Sequence, residues 1–575
     1  MTILLANIGT SDLAIEINGY YFPVGFDREE RNISQPVTDS VEELAWQLRL
    51  DEIKKMAQQE LGMVLGEREN PSFRELTHRL LLAYQQEPEK WHSRLRPNRI
   101  FGVIQTAINT PFKVKDAYIF VTDQPEKEAD GTPNRGYPSD TIFLFEILAK
   151  WLEREIPQLR LNKWVIPPEI SAINQDGLLQ YYYHFFQNAV PKNEFYLISI
   201  KGGTPQMQTA LKFQAIASAN PQQLFIDPIL SVHNVLAGKI SDCQLTSYWQ
   251  YFRTQKYQTV QLLLQQRWDF DGAIHILEDW KNILKFLRKY IVDEQLAWND
   301  DLMARVRQSL KLCIHCFNLD IKTAQELVQH SSNLQLSPQL VSQISNYNRL
   351  LNLYTQCRIY SELDQVANFL ARMTSFYEET LFQVNQRLEG NKYFEGNIEK
   401  WDLNTKVLRQ EMGEDLWQEF KQLEGGYNAK LYPPNLKQNP VVQLMNRYIK
   451  RSFIEVLVRF RKSHREAVLW QEMLGLLKSL DYWVVQRNNL IHSIEGVSKQ
   501  RMWELWHSRS EKDCLACPPN KILQVMTQIL KSGFGIIEED YCKNFVGEQA
   551  KYYIYSEVRD WAIAQLVNHI MSDSI

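Results

Sequence analysis

An arginine, an asparagine and a histidine lie close together near the end of the chain, in the pattern Arg487-Asn488-x3-His492. A histidine side chain exchanges its proton near neutral pH, which suits it to act as a general acid or base. An arginine side chain holds phosphate or carboxylate oxygens through paired hydrogen bonds. Residues of these types at this spacing could therefore perform acid–base chemistry on an anionic substrate.

The same stretch lies within the pattern of a long amphipathic helix. Apolar residues recur every three or four positions on either side of it, at Met473, Leu477, Leu480, Val484, Ile491 and Ile494. At about 100° per residue, Arg487 falls inside this apolar stripe, whereas Asn488 and His492 share one flank of it. A guanidinium in an apolar stripe is costly unless it is paired or faces a polar cleft. The stretch is therefore either a buried polar cluster that braces helices or an active site.

The spacing of this arginine and histidine is not distinctive by itself, since two other pairs resemble it. Arg459 and His464 are predicted to lie on a solvated basic face, and Arg501 and His507 follow the predicted end of the long helix. Only Arg487 is followed by an asparagine within an apolar helical pattern.

A second motif combines two glycines with a helix start, in the run Lys201-Gly202-Gly203-Thr204-Pro205-Gln206-Met207. The run follows a predicted strand, Thr204 is a candidate N-cap, and Pro205 takes the first helical position. Two glycines allow a ligand to approach the backbone closely. The free N–H groups of the helix start, together with Lys201, would suit an anion.

A similar turn follows the first predicted strand, where Gly9, Thr10 and Ser11 succeed an apolar run. In an open α/β sheet, ligands bind beyond the carboxyl ends of the strands. The two turns could therefore cradle a phosphate-bearing ligand, or they could be two ordinary strand-to-helix turns. The motif matches neither the Walker A loop nor the dinucleotide fingerprint.

The elements that would position these motifs fall into two classes. Up to about residue 250, apolar strands alternate with helices, which predicts a mostly parallel sheet covered on both faces. Asn18-Gly19 predicts a hairpin turn, and Ser139-Asp140 is predicted to cap a helix of about 140–153. Residues 40–95 are predicted to be a helical insertion or crossover. Beyond about 250 the strand pattern disappears, so the second half is predicted to be all-α.

The composition is typical of a globular protein with several domains, because 575 residues exceed what one core can hold. A net charge of −4 argues against a broad basic surface for nucleic acid, so any such contact would be local, and DNA is not expected. The first residues do not form a secretory leader, and no window of about 18 apolar residues occurs. We therefore expect a cytoplasmic protein without a membrane span.

Seven cysteines, an odd and sparse number, are typical of reduced thiols in a cytoplasm. Two C-x-x-C pairs, Cys313 with Cys316 and Cys514 with Cys517, could supply four thiolates to zinc. They lie about 200 residues apart in the chain, however, whereas zinc knuckles bring such pairs within about 15–20 residues. We expect buried thiols here and no metal site.

The two motifs together, in this order and at this chain length, resemble the CRISPR-associated CARF–HEPN ribonucleases of type III systems. The resemblance covers essentially the whole chain. The Gly-Gly-Thr-Pro-Gln-Met turn is the motif more specific to this family. The Arg-Asn-x3-His motif indicates the family only when that turn is also present.

The resemblance implies a Rossmann-like CARF sensor that dimerises and binds one cyclic oligoadenylate, of four or six adenosines, as an allosteric activator. It implies HEPN domains that also pair, so that two Arg/His sets form one cleft in the homodimer. That cleft cuts single-stranded RNA without metal and leaves a 2′,3′-cyclic phosphate.

The resemblance also assigns roles to residues of this chain. His492 is implied as the general acid or base, Arg487 as the group that holds the scissile phosphate, and Asn488 as the residue that orients His492 or the phosphate. The implied ligand-binding residues are Gly9, Thr10, Ser11, Lys201, Gly202, Gly203, Thr204 and Gln206. Asp140 and Thr141 are weaker additions to that set. Whether the sensor also cleaves its activator stays open.

The implied domains are a CARF sensor over 1–250 with the helical insertion of about 40–95, a helical connector over 251–350 and a HEPN nuclease over 351–575. The insertion departs from a minimal sensor domain. An alternative function is a CARF sensor whose helical half is a regulatory or protein-docking module and leaves RNA intact.

Overall fold

The computed structural model describes residues 2–25, 40–66, 69–128, 130–192, 194–218, 220–293, 295–330, 337–396, 400–423, 440–444, 446–461, 464–491, 497–534 and 544–572. The chain forms two compact units. The α/β unit contains Met1–Arg253 and Asp279–Ala297, and the helical unit contains Thr254–Glu278 and Trp298–Ile575.

The strands of the α/β unit are β1 (Thr2–Asn7), β2 (Ala14–Ile17), β3 (Tyr20–Pro23), β4 (Leu95–Arg96), β5 (Asp116–Thr122), β6 (Arg160–Ile166), β7 (Phe195–Ser199), β8 (Gln223–Ile229) and β9 (Asp242–Thr246). Six of them form one sheet in the order β6-β5-β1-β7-β8-β9. All neighbours in it are parallel except β8 and β9. The central strands β1, β5 and β7 read as nearly continuous apolar runs because helices cover both faces of a parallel sheet.

The helices that begin in this unit are α1 (Ser40–Gln59), α2 (Phe73–Gln86), α3 (Pro88–Arg94), α4 (Asn98–Ile108), α5 (Ile142–Glu155), α6 (Gln175–Asn188), α7 (Pro205–Ala217), α8 (Val232–Leu236) and α9 (Trp249–Leu262). The core on one face of the sheet packs α6 and α7 against β1, β5 and β7, with Leu5, Phe120, Tyr182, Ile198 and Leu211 all buried. These apolar contacts hold the strand ends in place.

A second, three-stranded sheet has the order β3-β2-β4. The predicted hairpin is confirmed, since Asn18 and Gly19 connect β2 to β3 with φ angles of 53° and 84°. Positive φ at both central residues is what the tight turn matching the strand twist requires, and asparagine followed by glycine supplies it.

The helices of the second half are α10 (Phe270–Leu287), α11 (Gln295–Phe317), α12 (Ile321–His330), α13 (Pro338–Ser345), α14 (Arg349–Glu362), α15 (Val366–Arg387), α16 (Thr405–Met412), α17 (Glu414–Leu423), α18 (Arg447–Arg461), α19 (His464–Ile491), α20 (Lys499–His507), α21 (Ile522–Ile529) and α22 (Tyr555–Ser572). Two short strands, β10 (Asp402–Asn404) and β11 (Val441–Gln443), pair antiparallel. Each has only three residues, which is too short to show an alternating pattern in the sequence.

The predicted fold class is confirmed: a mostly parallel α/β domain precedes a helical half. The antiparallel edge strand β9 and the β10–β11 pair were not predicted. In the described part of the chain, no helix is long and apolar enough to cross a membrane.

The prediction that Ser139 and Asp140 cap a helix is wrong. Helix α5 begins at Ile142, and its N-cap residue Thr141 makes no side-chain cap hydrogen bond. The Asp140 carboxylate instead accepts a hydrogen bond from the backbone N–H of Gln124 (2.7 Å) and pairs with Arg74. Both contacts use the Oδ2 atom, and within the described residues neither carboxylate oxygen accepts a hydrogen bond from the start of α5.

Candidate functional site

The two glycine turns meet at the carboxyl edge of the large sheet. Strands β1 and β7 are parallel neighbours with Ala6 opposite Ser199, so the chain leaves both strands side by side. A Cβ atom added to Gly9 would lie 2.8 Å from the backbone nitrogen of Gly203, and one added to Gly202 would lie 2.6 Å from the carbonyl oxygen of Asn7. The turns therefore pack backbone against backbone, which only glycine permits.

The second turn leads directly into a capped helix. The Thr204 hydroxyl accepts a hydrogen bond from the Met207 N–H (3.2 Å) and donates one to the carbonyl of Ala172 (2.5 Å), and Pro205 takes the first turn of α7. The prediction of Thr204 as N-cap is confirmed. The cap fixes where the first N–H groups of α7 point, because it sets the angle at which the chain enters the helix.

A buried ion pair lies beneath the first turn. Arg99 of α4 contacts both carboxylate oxygens of Asp12, with 2.7 Å between Nε and Oδ1, and the Gly9 N–H donates to Oδ2 (2.6 Å). Both side chains are buried. A buried charge pair with several hydrogen bonds holds a loop in one geometry. This pair could not be predicted from the sequence, since the two residues are 87 positions apart.

Two cavities of the α/β unit border the turns. The larger one, about 1010 Å³, is lined by Gly9, Thr10, Gly203 and Thr204, and also by Asp140 and Thr141. The smaller one, about 280 Å³, is lined by Gly9, Thr10, Ser11, Lys201, Gly202 and Gly203. The structure thus brings seven of the eight predicted ligand residues together. Gln206 is half-buried on α7 and is not among the described residues that line either cavity.

Asp140 gives the larger cavity a buried carboxyl group. Burial raises its pKa to about 6, although the hydrogen bond from Gln124 and the ion pair with Arg74 (2.6 Å) oppose that shift. Its Oδ1 atom has no hydrogen-bond partner within the described residues. Arg74 lies on α2, so the helical insertion of about 40–95 reaches the edge of this cavity. Sequence reasoning did not identify Arg74, because an arginine on an amphipathic helix is usually solvated.

The hydroxyl groups around Asp140 form a reciprocal pair. The N–H of Thr122 donates to the Thr141 hydroxyl (3.0 Å), and the N–H of Thr141 donates to the Thr122 hydroxyl (3.1 Å). These bonds join the end of β5 to the start of α5. They keep a row of oxygen atoms at one wall of the cavity.

In the helical unit, Arg487 lies near the end of α19, as the periodicity predicts. The stripe residues Met473, Leu477 and Leu480 are fully buried, and Arg487 is half-buried. The backbone of Asn488 is helical, while its side chain and all of His492 lie outside the described residues. The distance between Arg487 and His492 therefore stays outside the description of this site.

A buried polar network holds α19 to two other helices one to two turns before Arg487. Arg451 of α18 forms an ion pair with Asp481 of α19 and donates to the Tyr377 hydroxyl of α15 (2.7 Å). Arg447 also contacts Asp481, with 3.3 Å between Nε and Oδ1. Burial raises the pKa of Tyr377, which keeps its hydroxyl protonated. Sequence reasoning missed this network, because the arginines of α18 look like surface residues.

Two further hydrogen bonds hold other faces of α19. The Tyr482 hydroxyl donates to the carbonyl of Leu505 (2.7 Å), and the Trp483 indole N–H donates to the carbonyl of Cys517 (2.8 Å). The helix that carries Arg487 is thus held at residues 481–483 by bonds on more than one face.

The two similar Arg/His pairs lie in different surroundings. Arg501 forms an exposed ion pair with Glu504 at 2.9 Å, and His507 contacts the carbonyl of Trp503 on the same helix (2.7 Å). Arg459 forms an exposed ion pair with Glu419. These residues are matched controls for substitutions at Arg487 and His492.

The C-x-x-C cysteines carry free thiols. Cys313 and Cys316 are buried on α11, and burial raises the pKa of Cys316 to about 12. Cys517 is buried with its pKa raised to about 11, whereas Cys514 is exposed. Within the described residues, no three His, Cys, Asp or Glu side chains are grouped so that they could hold a metal ion.

A distant similarity links this chain to a solved structure. The chain is similar to Enterococcus italicus Csm6 bound to cyclic hexa-2′-fluoro-hexa-dAMP, with 12% sequence identity and a TM-score of 0.47. The match covers 98% of this chain and 100% of that chain. No family model and no curated protein matches the chain. The function of this chain must therefore be argued from its own residues.

Proposed function

We propose that this chain is a cyclic-oligoadenylate-activated endoribonuclease of type III CRISPR defence, acting in the cytoplasm as a homodimer. The observation that carries the proposal is the meeting of the Gly9 and Gly202-Gly203 turns at the carboxyl edge of the sheet, next to two cavities. In this proposal, 1–250 is the CARF sensor, 251–350 a connector and 351–575 the HEPN nuclease.

The chemistry of the turns supports an oligonucleotide ligand. A phosphate can approach backbone N–H groups where no Cβ intervenes, and the start of α7 offers such groups with favourable dipole charge. Thr10 and Ser11 add hydroxyl groups that can hydrogen-bond to phosphate oxygens or ribose. A volume of about 1010 Å³ is at the upper end for small-molecule sites, which suits a ligand of several nucleotides.

The residue types at Arg487, Asn488 and His492 support cleavage by the RNA's own 2′-hydroxyl. One histidine removes the 2′-OH proton, the 2′ oxygen attacks the adjacent phosphorus, and the bond to the 5′ oxygen breaks. A proton donated to that oxygen completes the step and leaves a 2′,3′-cyclic phosphate and a 5′-hydroxyl. Arg487 offsets the negative charge that builds on the phosphate oxygens.

No step in this reaction needs a metal ion, since proton transfer and charge stabilisation come from side chains. A single chain supplies one Arg/His set, so the proposed cleft requires two copies. Asn488 is proposed to orient His492 or the phosphate.

The test is cleavage of a fluorescent single-stranded RNA in EDTA, with cyclic tetra-adenylate or cyclic hexa-adenylate added separately. We expect cutting only with one of these activators, and a loss of at least about 100-fold in Arg487→Ala and in His492→Ala. Arg501→Ala and His507→Ala are the matched controls and should cut normally.

Cutting that survives both Arg487→Ala and His492→Ala would contradict the assignment of the nuclease site. A wild-type chain that binds activator and leaves RNA intact would instead favour the alternative, a CARF sensor with a regulatory or protein-docking helical half.

A further inference from the structure

The smaller cavity differs from the larger one in its charge. Its lining includes three cationic side chains, Arg49, Arg99 and Lys201, and among the described residues that line it there is no carboxylate. The larger cavity is lined by Glu128 and Asp140 and by one arginine. An anionic group is therefore favoured in the smaller cavity, and groups that donate hydrogen bonds are favoured in the larger one.

Of the three cations, Arg99 is already engaged. Its guanidinium contacts both carboxylate oxygens of buried Asp12, so its charge is largely offset. Lys201 lies 3.5 Å from Asp227, and both side chains are more than one-third exposed. An exposed ion pair at that distance is weak. The Lys201 ammonium can therefore turn to an anionic ligand at little cost.

Arg49 is positioned by its own helix. Its Nη1 atom donates to the carbonyl of Trp46 (2.7 Å), and its guanidinium carbon lies 4.5 Å from the centre of the Trp46 ring. Both residues are half-buried and line the smaller cavity. Stacking on an aromatic ring limits the rotamers of an arginine, so less entropy is lost when it binds a phosphate.

Arg49 and Trp46 lie on α1, within the helical insertion of about 40–95. Small-molecule sites usually measure about 300–1,000 Å³, so about 280 Å³ is enough for a phosphate and its ribose but not for a whole oligonucleotide ring. The cavity shares Gly9, Thr10 and Gly203 with the larger one, so a ligand bound in one can extend into the other.

We propose that the helical insertion completes a phosphate subsite in the smaller cavity, where Arg49 and Lys201 hold one phosphodiester of the ligand. This inference rests on the proposed function and deepens it. It gives the insertion, which a minimal sensor would not need, a role in ligand affinity. The bases and riboses of the remaining nucleotides occupy the larger cavity.

The test is binding of fluorescent cyclic tetra-adenylate and cyclic hexa-adenylate to the full chain over a range of salt concentrations. Loss of one charge-assisted contact predicts that Arg49→Ala weakens binding about 10- to 100-fold and makes it less dependent on salt. Arg49→Lys keeps the charge without the planar fork and should bind with intermediate affinity.

Lys55→Ala is the matched control. Lys55 also lies on α1, forms an exposed ion pair with Glu52, and lines neither cavity. Binding by Lys55→Ala should equal that of the wild type. Equal affinity of Arg49→Ala, Arg49→Lys and wild type would overturn the subsite while leaving the proposed function intact. A wild-type chain that binds neither ring would overturn the proposed function and the subsite together.

Discussion

The glycine turns of the α/β unit and the Arg487 stretch of the helical unit are built in different ways. At the first, backbone meets backbone: Gly9 and Gly203 approach so closely that a single Cβ would not fit. At the second, side chains along one helix are held in place by a buried network around Asp481. A site of the first kind fails when an atom is added, and one of the second kind fails when a side chain is removed.

The difference also determines what each site needs from the rest of the molecule. The turns depend on two parallel strands that end side by side, so the sheet itself places them. Arg487 depends on the rotation of α19 about its axis, which the contacts of Asp481, Tyr482 and Trp483 fix. Substitutions that act on one kind of support and not on the other test this contrast.

The largest effect is expected from Arg451→Ala. Among the described residues, removing this arginine leaves buried Asp481 with Arg447 as its one cationic partner, at 3.3 Å. Breaking a buried ion pair in this way typically costs about 3–5 kcal/mol. We expect urea denaturation to show a loss of that order in the free energy of unfolding of the helical half.

Arg459→Ala on the same helix is the control for this prediction. Arg459 forms an exposed ion pair with Glu419, and such pairs contribute little. If the two alanine variants unfolded at the same urea concentration, the network around Asp481 would not be what holds α19.

A smaller effect is expected from Gly202→Ala. The added methyl group would meet the Asn7 carbonyl oxygen at 2.6 Å and the Arg99 guanidinium, at a residue whose φ is 103°. We expect a loss of about 1–3 kcal/mol in stability and no measurable binding of cyclic tetra- or hexa-adenylate.

Gly62→Ala separates the cost of φ from the cost of the close approach. Gly62 also has a positive φ, 64°, but nothing lies within 4 Å of an added Cβ. The Gly62→Ala variant should lose some stability and should still bind cyclic tetra- or hexa-adenylate. Loss of binding in Gly62→Ala, or normal binding in Gly202→Ala, would count against the backbone-to-backbone site.

The smallest effect concerns pH and Asp140. Burial raises the pKa of this carboxyl group to about 6, above its ordinary value of 3.8. A raised pKa means that the folded state binds the proton more tightly, so the stability it contributes is present below about pH 4 and is lost as pH rises through about 6.

Asp140→Asn removes that titration. Thermal unfolding measured from pH 4 to pH 7 should show wild type losing stability relative to the asparagine variant as pH rises. A constant difference between the two proteins across that range would show that Asp140 does not titrate there.

The local features of the glycine turns could be predicted from the sequence, because each is encoded within a few residues. The Gly202-Gly203 pair, the Thr204 cap and Pro205 follow one another, and the strand before them is a continuous apolar run. The supports beneath could not be predicted. Arg99 and Asp12 are 87 residues apart, and Arg74 and Asp140 are 66 apart, so only the folded chain pairs them.

The wrong prediction at Asp140 also arises from a contact between residues that are far apart in the sequence. An aspartate before a helix usually caps that helix. The carboxylate of Asp140 instead forms an ion pair with Arg74, which belongs to another helix. In the helical half, periodicity correctly placed Arg487 on α19. It did not identify Asp481 and Arg451 as a buried pair, because charged residues on an amphipathic helix are usually on its solvent face.

In the proposed function, activator binding at the glycine turns switches on RNA cleavage in the cleft that contains Arg487. The most direct measurement compares wild type, Gly202→Ala and Arg487→Ala in one experiment, in EDTA, with activator binding and RNA cleavage both recorded. We predict that wild type binds and cuts, Arg487→Ala binds without cutting, and Gly202→Ala does neither. Cutting by Gly202→Ala at the wild-type, activator-dependent rate would show that the glycine turns do not bind the activator, and cutting by Arg487→Ala would show that Arg487 does not act in cleavage.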